Sequence, residues 1–345
     1  MLLKVPKASL KILALSGHHK AGFCFMEKDG ANISSHTFDL STKEGILAFK
    51  AAIAELPSPD VIASDLHPDL ASTKIACDMA KALKVKHIGI RHHHAHIAAV
   101  MAEHSASSPV LGFALDGLGL GENNELWGGE LLKVEKSTYK RLGRLKPFRL
   151  PGSDKGTKEI WRIAAAFLYD KIGKKEGLPP LFETALKKHI NTPLTSSCGR
   201  LFDLALALSN TPDLRTFEKQ ATNPEPLENG FTISGNADLI EADLTPVLLH
   251  IYRNKTNAAS YFHGTLAAAL SSMAITAKEA TNITTIVLSG GCFLNKVLQT
   301  ELKALLAAAG FTVLTPLALP PGDEAVPLGM ADIVRRQSSK KEYFS

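Results

Sequence analysis

Twice along this chain, a glycine-interrupted pair of strands leads into alternating helix and strand. The first group is KILALSG (Lys11–Gly17), then AGFCFMEKDG with a turn at Asp29-Gly30, then NISSHTFDL. A helix follows over Lys43–Leu56, then a short buried strand, VIASD (Val61–Asp65), a helix opened by His67-Pro68-Asp69, and the strand KHIGI. Pro68 suits a first helical turn, and Leu70, Ile75, Met79 and Leu83 supply an apolar stripe. The second group starts with VLGFALDG (Val110–Gly117) and returns through ELWGGELLKV (Glu125–Val134). A helix-rich insert spans roughly Thr157 to Ala280, with a loop at Asn223-Pro224-Glu225-Pro226. Strand TTIVLSGG (Thr284–Gly291), helix Phe293–Ala309, strand FTVLTP and a helix from about Ala325 complete the pattern. Short apolar runs alternating with helices indicate an α/β fold. The repeated opening predicts two lobes, residues 1–108 and 109–345, the second carrying the helical insert. With 345 residues, 45% of them hydrophobic, the chain can bury a core in each.

Several classes of protein fit poorly. No apolar run reaches the roughly eighteen residues of a membrane span, and the N-terminus lacks a signal-peptide pattern. A cytoplasmic, membrane-free protein is expected. The four cysteines (Cys24, Cys77, Cys198, Cys292) are far apart with no CxxC pair, which argues against a zinc ribbon or a disulfide framework. The net charge is +5, but the only basic run that stands out is Lys340-Lys341, so nucleic acid is an improbable partner. A mild positive bias suits an anionic small substrate.

Four stretches could carry chemistry. RHHHAHIAAVMAEH (Arg91–His104) holds five of the thirteen histidines and has helical composition from about Ala95. His92 and His96 are four apart and share a helical face, as paired metal-binding histidines do; His93 and His94 point elsewhere. The competing reading is a polar helix start capped by one or two imidazoles. Its place directly after a strand, where open α/β sheets put ligands, favours a metal. Two nitrogens need carboxylates from elsewhere, and such a set with open positions suits iron(II) or zinc in a catalytic role.

LDGLGLGENNELWGGE (Leu115–Glu130) alternates Gly117, Gly119 and Gly121 after a strand, which would let backbone amides approach a phosphate. Asp116 at the strand end can bind a metal or a metal-bound water. The alternative is a glycine-rich hairpin. LSGGCFLN (Leu288–Asn295) is strand, Ser289-Gly290-Gly291, then helix, a ready anion or nucleotide site, with Asn295 able to reach a ribose or base. The alternative is an ordinary tight turn. In PPGDEAVPLG (Pro320–Gly329), Asp323 is either the distant metal carboxylate or a helix N-cap.

Taken together, the chain resembles the C-terminal, TsaD-like carbamoyltransferase domain of the HypF hydrogenase-maturation family. The resemblance covers nearly the whole chain and rests on SDLHPDLASTKIA, HHHAHIAAVMAEH, ALDGLGLG with LWGGE, RLKPFRLPGSDKGTKEIWRIA, TSSCGRLFD and LSGGCFLN, in the same order. It implies an ASKHA-type, actin/hexokinase-like two-lobed fold. It implies that His92 and His96, with Asp323 and Asp116, hold a divalent metal (iron or zinc). Gly117, Gly119, Gly121, Gly128, Gly129, Ser289, Gly290, Gly291 and Asn295 would surround ATP, AMP or a carbamoyl-adenylate. The implied reaction moves the carbamoyl group from carbamoyl-adenylate to the C-terminal cysteine of a HypE-like protein. The family's acylphosphatase, CxxC zinc and YrdC-like modules do not fit in 345 residues, so either this is an excised or stand-alone transferase domain, or a partner with a YrdC-like domain supplies the adenylate. The alternatives are a non-catalytic nucleotide-binding scaffold subunit and a carbamoyltransferase acting on a small molecule or tRNA.

Two segments depart from the family pattern. Gly322-Asp323-Glu324-Ala325 replaces Asn-Asp-Gly-Gly, and Phe217-Glu218-Lys219-Gln220-Ala221-Thr222 replaces Tyr-Glu-Gly-Gln-Ala-Ala. The added charge of Glu324 is expected to crowd the phosphate end. Cys198, in SSCGR, is a candidate covalent nucleophile, against the usual role of a free cysteine as a packing residue.

Overall fold

The computed structural model describes residues 1–236 and 238–338. Lys340-Lys341 therefore lies outside the described residues. The first lobe is a six-stranded sheet in the spatial order Leu2–Leu3, Gly30–Ile33, Gly22–Glu27, Ile12–Ser16, Val61–Asp65, Lys86–Ile90. Its first three long strands run antiparallel, and the last two are parallel to Ile12–Ser16. Every residue of Ile12–Ser16 and of Val61–Asp65 is buried, which is why both read as continuous apolar runs instead of alternating ones.

The second sheet repeats the plan. Thr138–Leu145, Leu126–Glu135, Val110–Leu120, Thr285–Ser289 and Thr312–Leu314 lie side by side in that order. Setting aside the edge strand Leu2–Leu3 and the short strands that lie outside these five in the second sheet, both sheets have the chain order third, second, first, fourth, fifth. This duplicated topology is the ASKHA, actin/hexokinase-like fold. The predicted helical insert contains Trp161–Ile172, Cys198–Ser209 and the long Ala258–Thr281, but also a hairpin that the apolar pattern did not reveal. Thr232–Asn236 and Leu239–Asp243 pair with each other, and the latter extends the second sheet beside Thr138–Leu145. Thr232–Asn236 is mostly exposed, so it lacks the apolar alternation that marks a strand.

Two helices tie the lobes together. His92–Glu103 leaves the first sheet, and its Ile97, Val100 and Met101 pack beneath the second with Val110, Ala114 and Trp127. The last helix, Val326–Ser338, returns to the first lobe, where Val326, Leu328, Met330 and Ile333 share a core with Ile12, Ala14 and Val61. These helices meet at Gly329, where any side chain would collide with the Ala95 carbonyl. That close approach sets Asp323 opposite the histidines. The histidine helix starts at His92, earlier than its composition suggested. The helix expected from His67 instead begins at Ala71, and Leu83, placed in its apolar stripe, is exposed.

Candidate metal centre

At the start of the histidine helix, His92 and His96 turn their Nε2 atoms toward each other, 3.1 Å apart. Asp116, from the strand Val110–Leu120, places Oδ2 3.3 Å from His92 Nε2 and 3.6 Å from His96 Nε2. Asp323, in the turn before the last helix, places Oδ1 3.4 and 3.5 Å from the same nitrogens. Four donor atoms from three distant segments thus lie within 4.8 Å of one another. Bonds of about 2.0–2.2 Å to a tetrahedral cation put neighbouring donors about 3.3–3.6 Å apart. The spacing and the mixed nitrogen–oxygen set fit a divalent transition metal.

A fifth residue completes the arrangement and escaped the sequence reading. Asp65, at the end of strand Val61–Asp65, accepts a hydrogen bond from His92 Nδ1 at 2.9 Å and another from the His67 backbone at 2.9 Å. A carboxylate behind a ligating histidine fixes its tautomer and leaves Nε2 as the free donor. The sequence signal was available: Asp65, like Asp116, ends a buried strand.

Electrostatics at the centre are strongly coupled. Burial alone would lower the His92 pKa, but hydrogen bonds to Asp116, Asp323 and Asp65 outweigh it and hold the group well above an ordinary imidazole. His96 shifts the same way, with burial overcome by Asp116 and Asp323. Burial would raise Asp116, yet hydrogen bonds from His92 and His96 hold it well below the usual carboxylate range. Asp323 is lowered too: the same two histidines overcome both burial and the neighbouring Asp116.

His93 and His94 are pushed down to about 3 by burial. His93 lies against Trp127 and His94 against Tyr139, so both serve as neutral packing residues. The helix is capped not by an imidazole but at Arg91, whose guanidinium donates to the Leu120 and Gly121 carbonyls at 2.9 and 2.6 Å. Nor is Asp323 an N-cap: Gly322 occupies that position.

The glycines divide by what they face. A side chain at Gly119 would strike His93, one at Gly121 the Trp127 ring, and one at Gly129 the Ser196 carbonyl. Gly128, at φ +153°, backs onto the Asp116 carbonyl. These four, expected beside a nucleotide, have neighbours packed where a side chain would sit. Gly117 is different: a Cβ there would meet nothing within 4 Å. Across from it, Gly290 has φ +109° against Leu115, and the Gly291 amide lies 3.4 Å from Asp116 Oδ1. Ser289 Oγ is buried without a partner, as expected of a group that awaits a ligand. Asn295, expected to reach a ribose or base, caps the following helix through Leu298 N and bonds His263 at 2.9 Å, so both ends of its amide are used. Cys198, the candidate nucleophile, is fully buried in the second core and is a packing residue.

The two departures from the family pattern also resolve. Glu324 bends toward the first lobe and pairs with Lys20 at 3.3 Å. Phe217 is buried against Phe262, while Glu218 accepts from the Lys296 amide at 2.6 Å, at the start of helix Lys296–Ala308.

Comparison with known proteins agrees with this geometry. Residues 7–103 match the model of the HypF Kae1-like domain, and residues 112–330 match that of the Kae1-like carbamoyltransferase domain, second subdomain. The chain belongs to the HypF family. It is 37% identical to carbamoyltransferase HypF2 of Cupriavidus necator over 95% of this chain and 47% of that protein. It is 36% identical to a carbamoyltransferase HypF homolog of the same organism, over 80% of this chain and 78% of that one. The crystal structure of full-length HypF in its phosphate- and nucleotide-bound form superposes with a TM-score of 0.90 at 30% identity, over 100% of this chain and 48% of that one. The chain therefore spans about half the length of most of the curated HypF relatives it matches. Among the described residues, no helix of this HypF domain is long and apolar enough to cross a membrane. The metal donors straddle the two matched segments, so neither could form the centre alone.

Gly117 gives a direct test of the phosphate side. Because a Cβ there meets only open space, Gly117→Val is expected to fold normally and weaken AMP or ATP binding more than about tenfold, about 1.4 kcal/mol. Calorimetry reads the affinity; unchanged binding would move the phosphate site away from this strand.

Proposed function

We propose that this chain is the transferase part of a HypF-type system, moving a carbamoyl group from carbamoyl-adenylate to the C-terminal cysteine of a HypE-like acceptor during hydrogenase maturation in the cytoplasm. A YrdC-like domain, in the same polypeptide or in a partner, would make the adenylate. The observation that carries the reading is the convergence of His92, His96, Asp116 and Asp323 beside the open face of Gly117. Those four residues would hold iron or zinc, and such a cation supplies Lewis-acid polarisation of the carbamoyl oxygen. Asp65 keeps His92 oriented, so its donor atom is set before substrate arrives. The Gly117 strand and the Ser289–Gly291 turn leave backbone room and an unpartnered hydroxyl for the phosphate. In the transfer, acceptor sulfur bonds the carbamoyl carbon and the carbon–oxygen bond to phosphate breaks. AMP leaves with that electron pair, and the thiol proton passes to solvent.

The test supplies adenylate from a YrdC-like protein and a peptide ending in cysteine, then seeks the carbamoyl adduct by mass spectrometry. Wild type should form it. Asp323→Ala should lose both adduct and metal while keeping its circular-dichroism spectrum. No adduct from wild type, where an intact HypF succeeds, would overturn transfer and leave a nucleotide-binding scaffold.

A further inference from the structure

Beside the metal donors lies a cavity of about 310 Å³ between the lobes, with none of Ser289, Gly290 and Gly291 in its lining. Asp65, His92 and Asp323 form its floor, so whatever enters it lies against the centre. Its first-lobe wall is the hairpin turn Gly17-His18-His19-Lys20 with His67 and Leu70; its second-lobe wall is Leu118, Gly119 and Leu120. One side is apolar, with Leu118 exposed. The other offers donors. His18 Nδ1 is buried without a partner, and Lys20 is 60% exposed. His67 Nδ1 accepts from the Asp69 amide, which leaves Nε2 to carry the proton in the neutral ring. The fourth, His19, is already paired with Asp39 at 3.2 Å. The carboxylates on the floor are held by the histidines, and two acids face the hairpin: Asp39 on His19 and Glu324, 3.3 Å from Lys20.

We infer that this cavity is the acceptor's port, that Lys20 and His18 receive the free α-carboxylate of the acceptor's last residue, and that Glu324 occupies Lys20 as an internal stand-in until the acceptor arrives. The inference rests on the carbamoyl-transfer reading above. A terminal cysteine carries its thiol two bonds from the α-carbon that bears the carboxylate, so holding the carboxylate at the cavity wall delivers sulfur toward the floor. The apolar Leu70, Leu118 and Leu120 accommodate the side chain before it. A carboxylate entering from solvent replaces the Glu324 carboxylate on Lys20, an exchange of like for like that costs little electrostatically but makes Glu324 a competitor. The charge that the sequence suggested would crowd the phosphate thus acts on Lys20.

The experiment compares two peptides of one sequence ending in cysteine, one with a free C-terminal acid and one amidated. Both are assayed for carbamoyl transfer with the adenylate supplied and, fluorescently labelled, for binding by anisotropy. The free acid should show at least a tenfold lower KM and correspondingly tighter binding. Lys20→Ala should erase the difference by raising the free-acid KM, with metal content unchanged. Glu324→Gln should lower that KM severalfold. If wild type uses both peptides equally, or if Glu324→Gln leaves the free-acid KM unchanged, the port is wrong while transfer stands. If no peptide is carbamoylated yet the free acid binds more tightly in a Lys20-dependent way, the port stands and the transfer reading falls. If binding also fails to discriminate, both fall.

Discussion

Replacing His92 and His96 together with alanine is expected to take bound metal from about one equivalent to none, measured by elemental analysis after gel filtration, and to abolish transfer. The two imidazoles supply two of the four converging donors, and removing them leaves two carboxylates that repel each other. Asp65→Ala should be milder: it leaves every donor in place but frees the His92 ring, and losing such a partner typically costs about 10–100-fold in affinity. A graded series, with the double variant empty and Asp65→Ala weakened, distinguishes a metal centre from a salt-bridge cluster. Metal affinity should also fall with decreasing pH. Against the effect of burial, Asp116, Asp323 and, for His92, Asp65 raise both imidazoles above their ordinary pKa. A raised pKa means the proton is held to higher pH, and a metal must displace it. The loss of affinity should therefore begin above the pH at which a free histidine titrates, about 6.5. Equal stoichiometry in wild type and the double variant would return these residues to a structural role.

Much of this centre was legible in the chain because its signals are local. The i, i+4 histidine pair is a helical periodicity, and Asp116 stands at the end of an apolar strand. The two-lobed duplication was visible as a repeated opening of glycine-interrupted strands, while the strand order came from the structure. What was not legible depends on tertiary approach. The alternating glycines suggest a phosphate cradle, but Gly119 and Gly121 are glycine because His93 and Trp127 press on the strand from the far side. No spacing rule separates those from Gly117, since a missing Cβ serves a ligand and a neighbour equally well. Asn295 was misread for a related reason. A side-chain amide after a glycine turn can read a base or cap a helix, and here Leu298 N and His263 take both ends. Asp65 went unassigned because its role is defined through His92, 27 positions away. The hairpin Thr232–Asn236 with Leu239–Asp243 was missed because its exposed outer strand has no apolar period.

A buried ion pair outside the centre carries a large stability effect. Arg141→Ala is expected to destabilise the fold by about 3–5 kcal/mol, the usual cost of leaving a buried charge unpaired, read as a lower urea midpoint. Its partner Glu130 is fully buried, and Arg141 Nε donates to Glu130 Oε2 at 2.6 Å. Without the guanidinium, the other groups on that carboxylate are Ser196 Oγ and the amides of Gly128 and Gly129, at 3.1 and 3.2 Å for the amides. None of them carries a charge. The double change Arg141→Ala with Glu130→Ala should cost less than the sum of the two single changes, because it removes the stranded charge along with its partner. The same network reaches the metal centre. Glu130 joins strand Leu126–Glu135 to the segment carrying Ser196 and Ser197, and Ser197 Oγ donates to the backbone carbonyls of Asp116 and Gly117. Ser197 therefore helps hold the strand end that aims Asp116 at the histidines. Measured below its unfolding transition, Arg141→Ala should bind metal more weakly although the changed residue is not a ligand, and Glu125→Ala should not. Glu125 also contacts Arg141, at 2.7 Å, but it is half exposed and does not touch the Ser196 segment. If both variants lower metal affinity equally, the effect is general loosening of the sheet. If only Arg141→Ala does, the buried carboxylate both stabilises the second lobe and sets the position of a metal donor.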